Sequence, residues 1–267
     1  MSFTELADGT RIRYTVRGNG PDLVLVHGWK QSHRLFDQAI NRLSAEFRVH
    51  AFDQRGTGES DKPECSYDFS LLGADLLSIL DLHSVQSATV VGWSMGCTTV
   101  LSAASQDTSR IGRIVLMNGP LRLLSTPDFP FGLSDEKLSE YIAGLSENWP
   151  TNQSSFLAES LLPKNQGMLP LLEYAAWQTP VAIALDLVRN QGLVDHRDTV
   201  RNLKVPVLAA YSQQDPYWPV ELGDWIASNA LMGGLHVFTD SAHCPPLEEP
   251  AEFSRVISQF SRSESHA

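Results

Sequence analysis

Cysteine is scarce. Cys65, Cys97 and Cys244 are the three in 267 residues, and no pair shares a CxxC spacing. That argues against a disulfide framework and against a zinc or other metal site, and it fits a reducing compartment. Basic residues are also few, 20 Lys and Arg against 31 Asp and Glu, for a formal net charge of −11. With no basic cluster, the electrostatic footprint of a nucleic-acid or anionic-membrane partner is missing, and a neutral or weakly polar small molecule suits the chain better. No stretch approaches the roughly 18 apolar residues of a membrane span. The opening MSFTELADGT has neither a basic segment nor an apolar core of the signal-peptide kind, and no address signal closes the sequence, so a cytoplasmic location is expected. Repeats and low-complexity tracts are missing too.

What is present is enough apolar material, 42% of residues, for one large core. FTELADGTRIRYTVRG reads as two short alternating runs around an Asp-Gly turn, a hairpin. DLVLVHG, RVHAFDQRG and ATVVGWS are short apolar runs ended by turn residues, which suits central strands covered on both faces. Between the last two, SLLGADLLSILDLHSV carries a helical stripe of Leu72, Leu76, Leu77, Ile79 and Leu80, giving a βαβ rhythm. MGCTTVLSAAS reads as a buried helix and RIVLMN as the strand after it. From 119 to 194 the rhythm stops: SDEKLSEYIAGL, SSFLAESLL and VAIALDLVRNQG look helical, with Pro-containing loops between them. The strand VPVLAAYS, a helix over 219–228, the strand LHVFTD and a helix over 250–261 then resume the pattern. The expectation is an α/β fold with a mostly parallel central sheet and helices on both faces. Its core is 1–118 with 195–267, and 119–194 is an inserted helical cap.

Open parallel sheets bind ligands at the carboxyl ends of their strands, and four features fall there. In Gly92-Trp93-Ser94-Met95-Gly96, small neighbours relieve the crowding of a serine held on a sharp strand-to-helix turn. Asp215, in SQQDPYWP, follows a strand, though a turn-forming Asp is common there. His243, in SAHCPPLEEP, also follows a strand. The order Ser, Asp, His is that of one hydrolytic triad. His27-Gly28-Trp29 ends another strand, where the glycine lets the Trp29 amide face the site opposite the Met95 amide. Two such donors stabilise an oxyanion by roughly 3 kcal/mol each.

LVLVHGW, FDQRGTGESDKP, GWSMG, SQQDPYWP and SAHCPPLEEP together resemble the α/β-hydrolase superfamily over nearly the whole chain. The resemblance implies Ser94 as nucleophile, His243 as general base, Asp215 as its orienting partner, and Trp29 and Met95 as oxyanion donors, with no cofactor. The expected reaction is hydrolysis of an ester, lactone or activated amide of an apolar or aromatic small molecule by way of an acyl-enzyme and water. GWKQSHRLFDQAINRLSAEFRV, over 28–49, is also similar to the cofactor-free 2,4-dioxygenases that open 3-hydroxy-4-quinolones with dioxygen, which would make His243 the substrate base and bring His33 into the pocket. Where that family pairs its histidine with an acid and places a His after its serine, this sequence has Asn118 and Met95. The cofactor-free haloperoxidases share SMG and the triad, and some members of the fold are ligand receptors with slow turnover.

Pocket residues are expected among His27, His33, Trp93, Phe129, Trp149, Trp177 and Trp218, with Phe131, Tyr141, Phe156 and Tyr174 as further cap aromatics. Arg122 and Lys164 read as isolated, solvated cations. DQRGTGES reads as structural, with Asp53 and Arg55 tying loops together, and Cys97 and Cys244 as packing residues.

Overall fold

A computed structural model describes residues 2–147, 149 and 151–263. Eight strands, β1 Ser2–Glu5, β2 Arg11–Arg17, β3 Asp22–Val26, β4 Arg48–Phe52, β5 Ala88–Trp93, β6 Ile111–Met117, β7 Val207–Ser212 and β8 Gly233–Phe238, form one sheet. Their order is β1-β2-β4-β3-β5-β6-β7-β8, antiparallel from β1 through the β2/β4 pair and parallel beyond it. The Asp8-Gly9 hairpin forms as expected, with Gly9 at φ 84° and the Asp8 carboxylate accepting the Thr10 N–H at 3.0 Å.

Strand β3 explains the unbroken apolar runs. Leu23 and Leu25 pack on one face with helices α1 Asp37–Leu43 and α11 Pro250–Arg262, whereas Val24 and Val26 pack on the other with α2 Phe69–Leu82 and α3 Met95–Gln106. Alternation along one strand thus feeds two core layers.

The remaining helices in chain order are α4 Asp135–Glu147, α5 Thr151–Glu159, α6 Leu169–Trp177, α7 Val181–Gln191, α8 Arg197–Asn202, α9 Val220–Asn229 and α10 Pro245–Glu248. Helices α4 to α7 lie between β6 and β7 in the chain, and each contributes residues to a cavity that also takes in Trp93 and Ser94 at the carboxyl end of β5. Two differences from the sequence reading stand out here. The helix expected over 154–162 runs three residues earlier and stops before the turn at Leu161 and Pro163. Helix α6 falls where the sequence reads as a Pro-containing loop; its Pro170 stands in the first turn, where a proline needs no partner for its missing N–H.

The DQRGTGES turn is structural. Gly56 and Gly58 have φ of 83° and 48°. Arg55 donates twice to Asp75, at 2.7 and 2.8 Å, and once to Asp8 at 2.7 Å. Cys97 and Cys244 are fully buried, and burial pushes both thiols up.

Candidate active site

Ser94 joins β5 to α3 with φ 55° and ψ −123°, a conformation rare for a residue with a side chain. The two glycines of GWSMG answer separate steric demands. A Cβ on Gly92 would meet the Gly96 carbonyl oxygen at 2.6 Å, and one on Gly96 would meet the Val26 carbonyl oxygen at 2.4 Å. The helix therefore starts pressed against β3 and β5, and Ser94 is thrust out at its tip.

From Ser94 a hydrogen-bonded chain runs inward. Its Oγ lies 3.0 Å from His243 Nε2, and His243 Nδ1 lies 2.8 Å from Asp215 Oδ2. Both partners are buried. The other oxygen of Asp215 accepts the N–H groups of Tyr217, at 2.8 Å, and Trp218, at 3.3 Å, so both carboxylate oxygens are engaged. Three residues separated by up to 149 positions thus meet in one line.

The backbone of Gly28 passes close beside Ser94: a Cβ there would lie 2.9 Å from the Ser94 Cβ. Trp29 and Met95 therefore flank the serine, and both line the adjoining cavity. The Met95 N–H is the first of α3 and has no acceptor within the helix. The Trp29 indole is held from above, its Nε1–H donating to the Ala184 carbonyl of α7 at 3.0 Å.

The cavity has a volume of about 620 Å³, within the usual range for small-molecule sites. Its floor holds Ser94 and His243; its walls are mainly apolar, with Trp93, Phe156, Leu172, Val188, Tyr217 and Trp218 among them. Among the described lining residues, formal charge is carried by Lys137, Glu140 and Glu159, all solvent-exposed.

Of the seven expected pocket residues, Trp93 and Trp218 line this space and five do not. His27 is fully buried, accepting the Gln54 N–H at Nε2 and donating from Nδ1 to the Gly28 carbonyl, and burial lowers its pKa to about 4. His33 points at Asp53, 2.6 Å away. Phe129 packs against Phe131 and Trp225. Trp177 is 54% exposed on α6. Trp149 packs by the Lys30 amine, which lies 5.1 Å from the centroid of its ring. The cations read as isolated are ion-paired instead, Arg122 with Asp195 and Lys164 with Asp240, because each meets an acid distant in sequence.

Sequence reasoning missed the residues that hold His243. The Asn118 Nδ2 group donates to the carbonyls of Ala242 and His243, and the ring of Tyr217 meets that of His243 edge-on, 4.9 Å between centroids. Nothing local marks either residue. No group of three or more potential metal ligands occurs among the described residues, and none of their helices is long and apolar enough to cross a membrane.

A family model described as alpha/beta hydrolase fold matches residues 21–250. The chain belongs to that family. Among its relatives is a pimeloyl-[acyl-carrier protein] methyl ester esterase of Vibrio vulnificus, 26% identical over 261 residues, covering 94% of this chain and 98% of that one. Two solved hydrolase-fold structures, an esterase from Exiguobacterium antarcticum and a bromoperoxidase from Bacillus anthracis, each superpose with a TM-score of 0.91 at 22% identity, covering 98% of this chain and 99% of theirs. At that identity the likeness speaks for the fold, and the eight-stranded sheet is the hydrolase-fold sheet.

Proposed function

We propose that this hydrolase-fold protein cleaves an ester or lactone of a neutral, apolar small molecule by an acyl-enzyme route. The observation that carries the reading is the unbroken line Ser94 Oγ, His243 Nε2, His243 Nδ1, Asp215 Oδ2 at the floor of an apolar cavity. Ser94 attacks the carbonyl carbon while His243 takes its proton, and Asp215 holds the imidazole tautomer and favours the cation that forms. The N–H groups of Trp29 and Met95 receive the oxyanion. His243 returns the proton to the leaving alcohol, and a water repeats the attack on the acyl-enzyme.

The ester class is supported by the relatives, several of which are methyl ester esterases. Residues 119–194 act in this reading as a cap that excludes bulk water. They carry eight acidic against four basic residues, which favours a neutral substrate over an anionic one. Hydrolysis is preferred to oxygenolytic ring opening because His33, a pocket residue in that alternative, is turned to Asp53 and lies outside the cavity lining.

The test is turnover of apolar aryl esters and of 3-hydroxy-4-quinolones by wild type and Ser94→Ala, in air and without oxygen, with fluorophosphonate labelling alongside. Labelled Ser94 and oxygen-independent ester turnover that disappears in Ser94→Ala are expected. Oxygen-dependent turnover that survives Ser94→Ala and is lost in His243→Ala would replace hydrolysis with ring opening. Single-turnover acylation of Ser94 by an aryl ester, with no recovery of free enzyme, would make the protein a ligand receptor.

A further inference from the structure

Glu248 closes α10, five residues after His243. Its carboxylate faces N–H donors from two places. Oε1 accepts the N–H groups of Ala242, at 2.9 Å, and Cys244, at 3.3 Å, the residues on either side of His243. Oε2 accepts the Leu162 N–H at 2.8 Å and Asn165 Nδ2 at 2.9 Å, both from the segment that follows α5. The two segments meet once more where the His243 N–H donates to the Ser160 carbonyl at 3.1 Å.

We propose that Glu248 is a positioning residue that sets His243 relative to Ser94 and couples that setting to the helices over the cavity; the proposal rests on reading Ser94, His243 and Asp215 as the catalytic groups. Four donors converge on it, and only an ionised carboxylate offers acceptors in all four directions. The backbone around it has little freedom of its own, since Pro245 and Pro246 fix φ at the start of α10. One carboxylate therefore fixes both flanks of His243 and the chain leaving α5, whose Phe156 and Leu157 line the cavity. A shift of the covering helices pulls on Oε2, and the rigid carboxylate passes it to the two N–H groups beside the base.

Glutamine in place of Glu248 keeps the volume but turns an NH₂ toward one pair of donors. Asn165→Ala removes a single donor on the covering side, at a half-buried position, and leaves the histidine loop untouched. The experiment compares wild type, Glu248→Gln and Asn165→Ala in the full chain, with p-nitrophenyl butyrate as substrate. It measures kcat, KM, the pH profile of kcat/KM and the imidazole proton resonances of His243.

For Glu248→Gln, kcat is expected to fall by about tenfold or more, KM to change far less, and the acid limb of the profile to move by about half a pH unit, together with the His243 resonances. Asn165→Ala should change the same quantities in the same direction by less. A lower Tm with kcat, acid limb and resonances unchanged in Glu248→Gln would reduce Glu248 to a loop staple and overturn the proposal. Should Glu248→Gln fail to fold, Asn165→Ala decides by the same readouts. If wild type neither turns over ester nor labels at Ser94, the hydrolase reading fails, while the resonance shift still decides whether Glu248 positions His243.

Discussion

The indole N–H of Trp93 donates to the main-chain carbonyl of His243 at 2.7 Å. The residue immediately before Ser94 thus holds the main chain of the residue that meets Ser94 from the other side. The two rings also lie 5.3 Å apart. Ser94 and His243 are therefore braced against each other through one side chain, independently of the hydrogen bond between them.

Replacing Trp93 by Phe keeps an aromatic ring and removes the donor. The His243 carbonyl then depends on Asn118 alone. Stability should fall by about 1–2 kcal/mol and kcat by roughly tenfold. Chemical denaturation and steady-state kinetics on one ester check both.

Asp215→Asn preserves shape but no longer demands the N–H at His243 Nδ1, so the tautomer in which Nε2 receives the serine proton is lost. A fall in kcat on the order of 10⁴-fold is expected. An effect below tenfold would mean that Asp215 contributes placement and little else.

Acid should unfold the protein in a window set by buried histidines. Burial lowers His27 from 6.5 to about 4, and the same cause holds His196 at about 4. Between pH 6.5 and 4 the unfolded chain binds protons that the folded chain refuses, so stability is full above about 6.5 and declines as pH falls toward 4. Each group contributes about 3 kcal/mol to the decline. Urea midpoints across that range should fall less steeply in His27→Gln than in wild type.

Lys30 sits at φ 55° with its side chain fully buried, its amine 3.8 Å from the Trp29 ring and unpartnered by any hydrogen bond among the described residues. Burial pushes the amine well below the usual lysine range. Met at this position fills the same channel without a polar atom and should stabilise the fold by about 1–3 kcal/mol. A lower midpoint in Lys30→Met would show that attraction between the amine and the surrounding rings outweighs its desolvation.

Much of this was legible beforehand wherever a local pattern has one physical cause. Apolar runs such as DLVLV need cover on both faces, and a serine between glycines at a strand end needs a close helix, so the sheet and the Ser94 turn followed from the sequence. Ser94, Asp215 and His243 each follow a strand of one parallel sheet, so their shared position past the carboxyl ends reflects the same regularity. What only the tertiary structure decided is direction. Composition says that Phe129 and Trp177 are aromatic and His27 is polar. It does not say that one ring packs inward, that another faces solvent, or that the imidazole serves its neighbours' amides. Glu248 is the clearest case: its four donors come from two segments some 80 residues apart, and no local signal encodes their meeting. Local sequence sets periodicity and backbone preference, whereas which side chain meets which is settled by packing between segments that only the fold makes neighbours.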